Sequence, residues 1–185
     1  MDSSPQLMDA SGLRRTTLRL AHEIRERHGD DLDAVVLAGV RTRGVPLAQR
    51  LAAALQELGC RAPHVAAVDT RGHRDDGPRP ALATPAVASL NGGGPPPIEG
   101  STVIVVDDVI FTGRTLRAAL DALMDHGRAA AIEVLVLVDR GHRELPLRAN
   151  YVGKNVPTAA GDRVTVRLLE VDGVDGAWLV QGSPE

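Results

Sequence analysis

From Ser11 to His28, Leu13, Leu20 and Ile24 fall on one face of a 3.6-residue repeat, while Arg14, Arg15, Arg19, Arg25 and Arg27 lie elsewhere. That spacing predicts an amphipathic helix, with Ser11 placed to cap it. Ala34–Ala38 is unbroken apolar sequence, as expected of a strand buried on both faces of a parallel sheet. A loop follows at Gly39–Gly44. Pro46 to Leu58 reads as a second helix, with proline in its first turn and Gly59 ending it. His64 to Val68 and Thr102 to Val106 are further apolar strands. Arg114 to His126 reads as a helix stopped by Gly127, and Ala131 to Val138 as another buried strand. Asp139 to Pro157 is a long polar segment. Val164 to Leu169 and Ala177 to Val180 alternate like strands of a half-buried sheet. Strands and helices taking turns predict an α/β fold with a mostly parallel central sheet flanked by helices and a small C-terminal β appendage.

Residues 70–100 break the rhythm. Arg71-Gly72-His73-Arg74-Asp75-Asp76-Gly77-Pro78 is polar, and Asn91-Gly92-Gly93-Gly94-Pro95-Pro96-Pro97 is a flexible and then stiff connector. A mobile excursion is expected here, with a short hairpin around Ala83–Leu90. No compositional shift marks a second domain, and 185 residues fit one unit spanning 1–185.

Composition narrows the function. The net charge of −3 excludes nucleic-acid binding through bulk positive charge, so any such contact needs a local basic patch. No apolar run reaches membrane-spanning length, and the start lacks the n- and h-regions of a secretory signal. The only cysteine, Cys60, leaves neither a disulfide framework nor a cysteine zinc site, and a cytoplasmic location is expected. All but one of the 21 basic residues are arginine, Lys154 being the exception, and aromatics are 2%. Both biases read as coding bias.

The chemistry concentrates in Val103-Ile104-Val105-Val106-Asp107-Asp108-Val109-Ile110-Phe111-Thr112-Gly113-Arg114-Thr115. A buried strand ends in two carboxylates at its carboxyl edge, where open α/β sheets bind ligands. Next comes Thr-Gly-Arg-Thr at a helix start, where free N–H groups, two hydroxyls and the helix dipole favour a phosphate. A sugar phosphate uses both parts: carboxylates accept from ribose hydroxyls and the loop holds the 5′-phosphate. The plain alternative is a helix cap at Asp-Asp followed by an ordinary Thr-Gly turn.

This stretch resembles the phosphoribosyl pyrophosphate (PRPP) motif of type I phosphoribosyltransferases. The segment Val138-Asp139-Arg140-Gly141-His142-Arg143 through Gly153-Lys154-Asn155-Val156-Pro157-Thr158 is similar to that of the PyrR family, bifunctional pyrimidine-operon regulators and uracil phosphoribosyltransferases. So are Arg41-Thr42-Arg43-Gly44 and the helix from Arg14-Arg15 to His22-Glu23-Ile24. The resemblance runs from Gly12 to about Asp172, most weakly at 70–100. It implies the type I phosphoribosyltransferase fold with a flexible lid, and an enzyme making UMP and pyrophosphate from uracil and PRPP.

The same resemblance implies roles. Asp107 and Asp108 would contact the ribose hydroxyls. Val109, Ile110, Phe111, Thr112, Gly113, Arg114 and Thr115 would form the nucleotide loop, with Thr112 to Thr115 on the 5′-phosphate. Thr42 and Arg43 would contact pyrophosphate, in a loop where such enzymes often carry a non-proline cis peptide. Arg74, with Asp75, would belong to the lid. Arg140 and the backbone near Val138 and Val164 would lie beside the base. Asp107, Asp108, Arg43 and Arg74 are thus the catalytic candidates. Mg²⁺ would arrive bound mainly through PRPP oxygens, with no dedicated protein metal site. Gly72-His73 stands where the family carries an aliphatic–aromatic pair before the lid arginine, a departure bearing on lid closure and rate.

The regulator resemblance also implies a leader mRNA as partner, sensed with UMP or UTP. The residues it points to are Arg14, Arg15, Arg19 and His22 on the first helix, and His142, Arg143, Arg148 and Lys154 later. The first-helix residues read equally well as a solvated face. Leu18 stands where the family has a hydroxyl residue, with Thr17 adjacent. A homodimer or higher homo-oligomer is expected. The alternative is a phosphoribosyltransferase for uracil or another base, such as a purine, without RNA control.

Overall fold

The computed structural model describes residues 4–75, 86–92 and 94–182. Asp9, not Ser11, caps the first helix: its carboxylate accepts from the Gly12 N–H at 2.6 Å. That helix, α1, spans Ala10–His28 and buries Leu13, Thr17, Leu20, Ala21 and Ile24. The apolar run becomes β2 (Val35–Val40), buried at every position. Then follow α2 (Gly44–Glu57), β3 (His64–Val68), a 3-10 turn at Arg71–His73 and β4 (Val87–Ser89). β5 (Thr102–Ile110), α3 (Arg114–Met124), β6 (Ala131–Asp139) and β7 (Tyr151–Asn155) complete the main body.

These strands form one six-stranded sheet in the order β4-β3-β2-β5-β6-β7. All neighbours are parallel except edge strand β4, which runs antiparallel to β3. Successive side chains of a strand point to opposite faces, so the sheet feeds two cores. Leu37, Ile104 and Leu137 join α1 and α2 on one side. Val36, Val103, Val105 and Val136 join α3 on the other.

Four further expectations change. β5 runs on through Asp107 and Asp108 to Ile110, because its pairing with β6 continues to Ile110 opposite Asp139. The polar segment 139–157 hides strand β7; at the sheet edge Tyr-Val-Gly-Lys-Asn needs no unbroken apolar run. Val87–Ser89 pairs with β3 rather than forming a hairpin of its own, and the rest of that expectation, over 83–85, lies outside the described residues. So does the central stretch of the expected lid, 76–85.

The fourth change concerns the C-terminal appendage. β8 (Arg163–Arg167) and β9 (Gly176–Val180) are antiparallel, and β1 (Gln6–Met8) pairs with β9. The appendage is therefore closed by the N-terminus. Between its strands lies the single turn α4 (Leu169–Asp172); β8 stops at Arg167, two residues short of the expected end at Leu169. Arg50 of α2 grips this turn. Its Nε and Nη2 donate to Glu170 at 2.8 and 2.6 Å, and its Nη2 and Nη1 to Asp175 at 2.7 and 3.1 Å. No helix among the described residues is long and apolar enough to cross a membrane.

Candidate active site

The carboxyl ends of β2 and β5 lie side by side, since the two strands pair directly. The loop leaving β2 carries a cis peptide bond at Arg41–Thr42. It stays close to β5 because Gly44 has no side chain: a Cβ there would sit 2.2 Å from the Val106 carbonyl oxygen. Thr42 is exposed on this loop, and Arg43 is half-buried. Arg43 donates from Nε and Nη2 to Asp172 of α4 at 3.0 and 2.7 Å.

At the end of β5 the Asp107 carboxylate accepts from the Asp108 N–H at 2.9 Å, and Asp108 from the Val109 N–H at 2.8 Å. Burial, then the neighbouring Asp108 charge, pushes the Asp107 carboxyl well above the usual range. Burial also raises Asp108, against the pull of the Val109 N–H and of the Arg43 guanidinium. Two carboxylates this close resist simultaneous ionisation unless a donor-rich ligand arrives.

The chain then turns into α3. Gly113 caps the helix at φ 92°, a left-handed conformation that side chains disfavour. Thr112 accepts the Arg114 N–H at 3.3 Å. The segment after β6 braces this turn: the N–H groups of Glu144 and Leu145 donate to the Thr112 carbonyl at 3.0 and 3.1 Å. Arg114 donates to Glu144 at 2.7 Å and to Asp75 at 3.0 Å.

A cavity of about 470 Å³ opens here. Asp107 and every residue from Val109 to Thr115 line it, as do Arg74 and Arg163. Thus seven consecutive residues, one acidic residue and Arg74 meet at one place. Asp108 stands just beyond, toward Arg43. Buried Arg140 stacks on the Phe111 ring, 3.9 Å from its centroid, with the His142 ring edge-on at 6.2 Å. Arg140 also donates to Thr158 and to the carbonyls of Ala159 and Ala160 at 3.3–3.4 Å. Val164 is half-buried against the core shared by α1 and α2.

The basic candidates divide. Arg15, Arg19 and Lys154 converge on a second cleft of about 550 Å³, between α1, β1 and β7. There Arg19 donates to the Val152 and Gly153 carbonyls at 3.2 and 2.7 Å and pairs with Glu23. Lys154 donates to the Leu7 carbonyl at 2.7 Å. Arg14 lines a separate groove with Leu18 and Arg50. His22 and Arg148 are exposed outside both clefts. His142 and Arg143 belong to the loop beside the first cavity. The His142 ring lies 2.7 Å from the Thr158 carbonyl. Arg143 donates to the Phe111, Gly141 and Leu147 carbonyls and pairs with Asp139 at 2.5 Å. Its guanidinium therefore ties β6 to the turn at Phe111. Sequence reasoning assigned no role to Asp172 or Arg163. Both are brought in by the folding of the appendage.

The phosphoribosyl transferase domain model matches residues 9–165. The "Bifunctional protein PyrR" of Chloroflexus aurantiacus is 51% identical, covering 99% of this chain and 98% of that protein. That of Pelotomaculum thermopropionicum is 51% identical, covering 95% of each. The chain belongs to the PyrR family. The match to PyrR proteins extends over the appendage and β1 as well as the parallel sheet. Among solved structures, the hypoxanthine phosphoribosyltransferase of Trypanosoma cruzi in complex with IMP superposes with a TM-score of 0.67 at 20% identity, covering 95% of this chain and 93% of that one. The Staphylococcus aureus hypoxanthine phosphoribosyltransferase gives 0.67 at 18%, covering 96% and 92%. At that identity the likeness shows the shared type I phosphoribosyltransferase fold.

Proposed function

We propose that this PyrR-family protein is a uracil phosphoribosyltransferase that also regulates its pyrimidine operon by binding leader mRNA under the control of UMP or UTP. The observation that carries the enzymatic half is the cavity at the end of β5, lined by Asp107, with Asp108 just beyond, and by the glycine turn that opens α3. Asp107 and Asp108 accept from the ribose hydroxyls. The N–H groups and hydroxyls from Thr112 to Thr115 hold the 5′-phosphate at the start of α3. Phe111, backed by Arg140, offers its other ring face to the base.

Uracil N1 attacks C1 of the ribose, the C1–pyrophosphate bond breaks, and the N1 proton leaves. No covalent enzyme intermediate is needed. Arg43 stabilises the charge developing on pyrophosphate, and the cradle keeps both reactants aligned. Asp107 and Asp108 supply carboxylate oxygens that would suit Mg²⁺, which would be held mainly through PRPP and would supply charge neutralisation at the pyrophosphate. Arg74, with the lid, excludes water from the reacting centre.

The regulatory half rests on the cleft of Arg15, Arg19 and Lys154, a basic concentration in a chain of net charge −3. The protein works in the cytoplasm, as a homodimer or higher homo-oligomer. The test of the enzyme is PRPP-dependent UMP formation from uracil, with guanine and hypoxanthine as competing bases. UMP from uracil alone supports the assignment; a purine nucleotide only, or no nucleotide, overturns it. The test of the regulator is titration of leader RNA with and without UMP at fixed salt. Equal, UMP-insensitive binding to leader and scrambled RNA removes that half.

A further inference from the structure

The pyrophosphate-side arginine is held from a distant part of the chain. Asp172 grips Arg43 by one edge only: Oδ2 accepts from Nε at 3.0 Å and Oδ1 from Nη2 at 2.7 Å. A guanidinium has five N–H donors in a fixed fork. Nη1 and the second N–H of Nη2 have no hydrogen-bond partner among the described residues, so the opposite edge stays open to solvent or an anion.

Asp172 is itself fixed. Its Oδ2 also accepts from the Leu168 N–H at 2.9 Å, and its own N–H donates to the Leu168 carbonyl at 2.7 Å. The turn that carries it is pinned to α2 by the double fork of Arg50 on Glu170 and Asp175. Asp108 adds its attraction to Arg43 from the β5 side. An arginine left to wander loses rotamer entropy when it binds; one held along a single edge has already lost it.

We propose that Asp172 is a positioning residue for pyrophosphate release: it orients Arg43 so that the open edge of the guanidinium meets the leaving group. Asp172 touches neither base nor ribose in this account. It acts through Arg43, and the inference rests on the reading of Arg43 as the pyrophosphate contact. The appendage thereby becomes part of the catalytic apparatus rather than a cover for the sheet.

The experiment compares wild type, Asp172→Ala, Asp172→Asn, Arg43→Ala and the Arg43→Ala/Asp172→Ala double variant in UMP synthesis, with thermal unfolding of each. Asp172→Ala is expected to lower kcat roughly tenfold with the KM for uracil unchanged within about twofold. Asp172→Asn, which keeps one acceptor and the Leu168 bond, is expected to recover part of kcat. In the Arg43→Ala background, removing Asp172 should cost little more, because the coupling partner is gone. Asp172→Ala with wild-type kcat, or tighter PRPP binding at unchanged kcat, overturns the proposal. So do losses that multiply in the double variant, the mark of a merely structural residue. Wild-type kcat in Arg43→Ala would instead fault the reading of Arg43 itself, and the proposal with it.

Discussion

The end of β5 and the C-terminal appendage both border the candidate cavity, the appendage through Arg163, but are built in opposite ways. At β5 the functional groups are consecutive: acidic pair, glycine turn and helix start follow one another over nine residues, Asp107 to Thr115. The side-chain contacts that tie the appendage to the main body join residues more than a hundred positions apart. Arg43 reaches Asp172, Arg50 reaches Glu170, and Lys154 of β7 reaches Leu7 of β1. A local arrangement leaves its signature in spacing. A remote one leaves only residues that read as a turn or a solvated face.

The largest expected effect falls on the local half. Asp107→Asn and Asp108→Asn should each cut UMP formation at least ~100-fold, measured at saturating PRPP. Both carboxyls are raised in the folded protein, so at neutral pH their ionisation works against folding. That penalty is absent at pH values below the unfolded carboxylate pKa and grows as pH rises through the folded value. The same variants should therefore melt a few degrees higher than wild type at pH 7, by differential scanning calorimetry. Lost activity with a lowered melting point would mean that the pair supports the fold instead.

Gly44→Ala is next. Its Cβ would meet the Val106 carbonyl at 2.2 Å, with backbone on both sides unable to yield cheaply. A loss of about 1–3 kcal/mol is expected in urea unfolding, together with weaker PRPP binding, because the loop must leave β5. Phe111→Ala removes the platform on which Arg140 stacks and should raise the KM for uracil about tenfold, more than the KM for PRPP. On the remote side, Lys154→Ala should lower the salt slope of leader-RNA binding by about one.

The smallest effect concerns the anchor of α1. Glu133 accepts from Tyr151 at 2.6 Å and lies 3.0 Å from His28 and 2.9 Å from Arg27. Burial would raise its carboxyl, but these partners outweigh burial and hold it below its ordinary value. Its stabilisation is thus present above the unfolded carboxylate pKa and is lost as pH falls through the lower folded value. Between roughly pH 5 and pH 3 the wild type should lose stability faster than Glu133→Gln, followed by urea midpoints.

The parallel sheet was legible because its strands are continuous apolar runs and its helices keep a 3.6-residue period. The turn into α3 was legible because glycine and a helix start coincide there. β7 escaped because an edge strand tolerates Gly153, Lys154 and Asn155, and β1 because three residues carry no period. The basic candidates show the limit most clearly. Residue type and segment alike nominated Arg143 and Lys154. Folding commits Arg143 to four internal acceptors and Arg19 to three, whereas Lys154 meets only the Leu7 carbonyl among the described residues and lines a cleft. Which donors of an arginine are already occupied depends on tertiary contacts that spacing does not encode.

The central claim is that one nucleotide site is built from the β5–α3 turn. Calorimetric titration of UMP, competed by PRPP, tests it most directly in wild type, Asp108→Asn and Thr112→Ala. One UMP per chain, displaced by PRPP and weakened at least ~10-fold in both variants, is the result this site predicts. UMP binding that PRPP does not displace, or that both variants leave intact, would place the nucleotide elsewhere and contradict it.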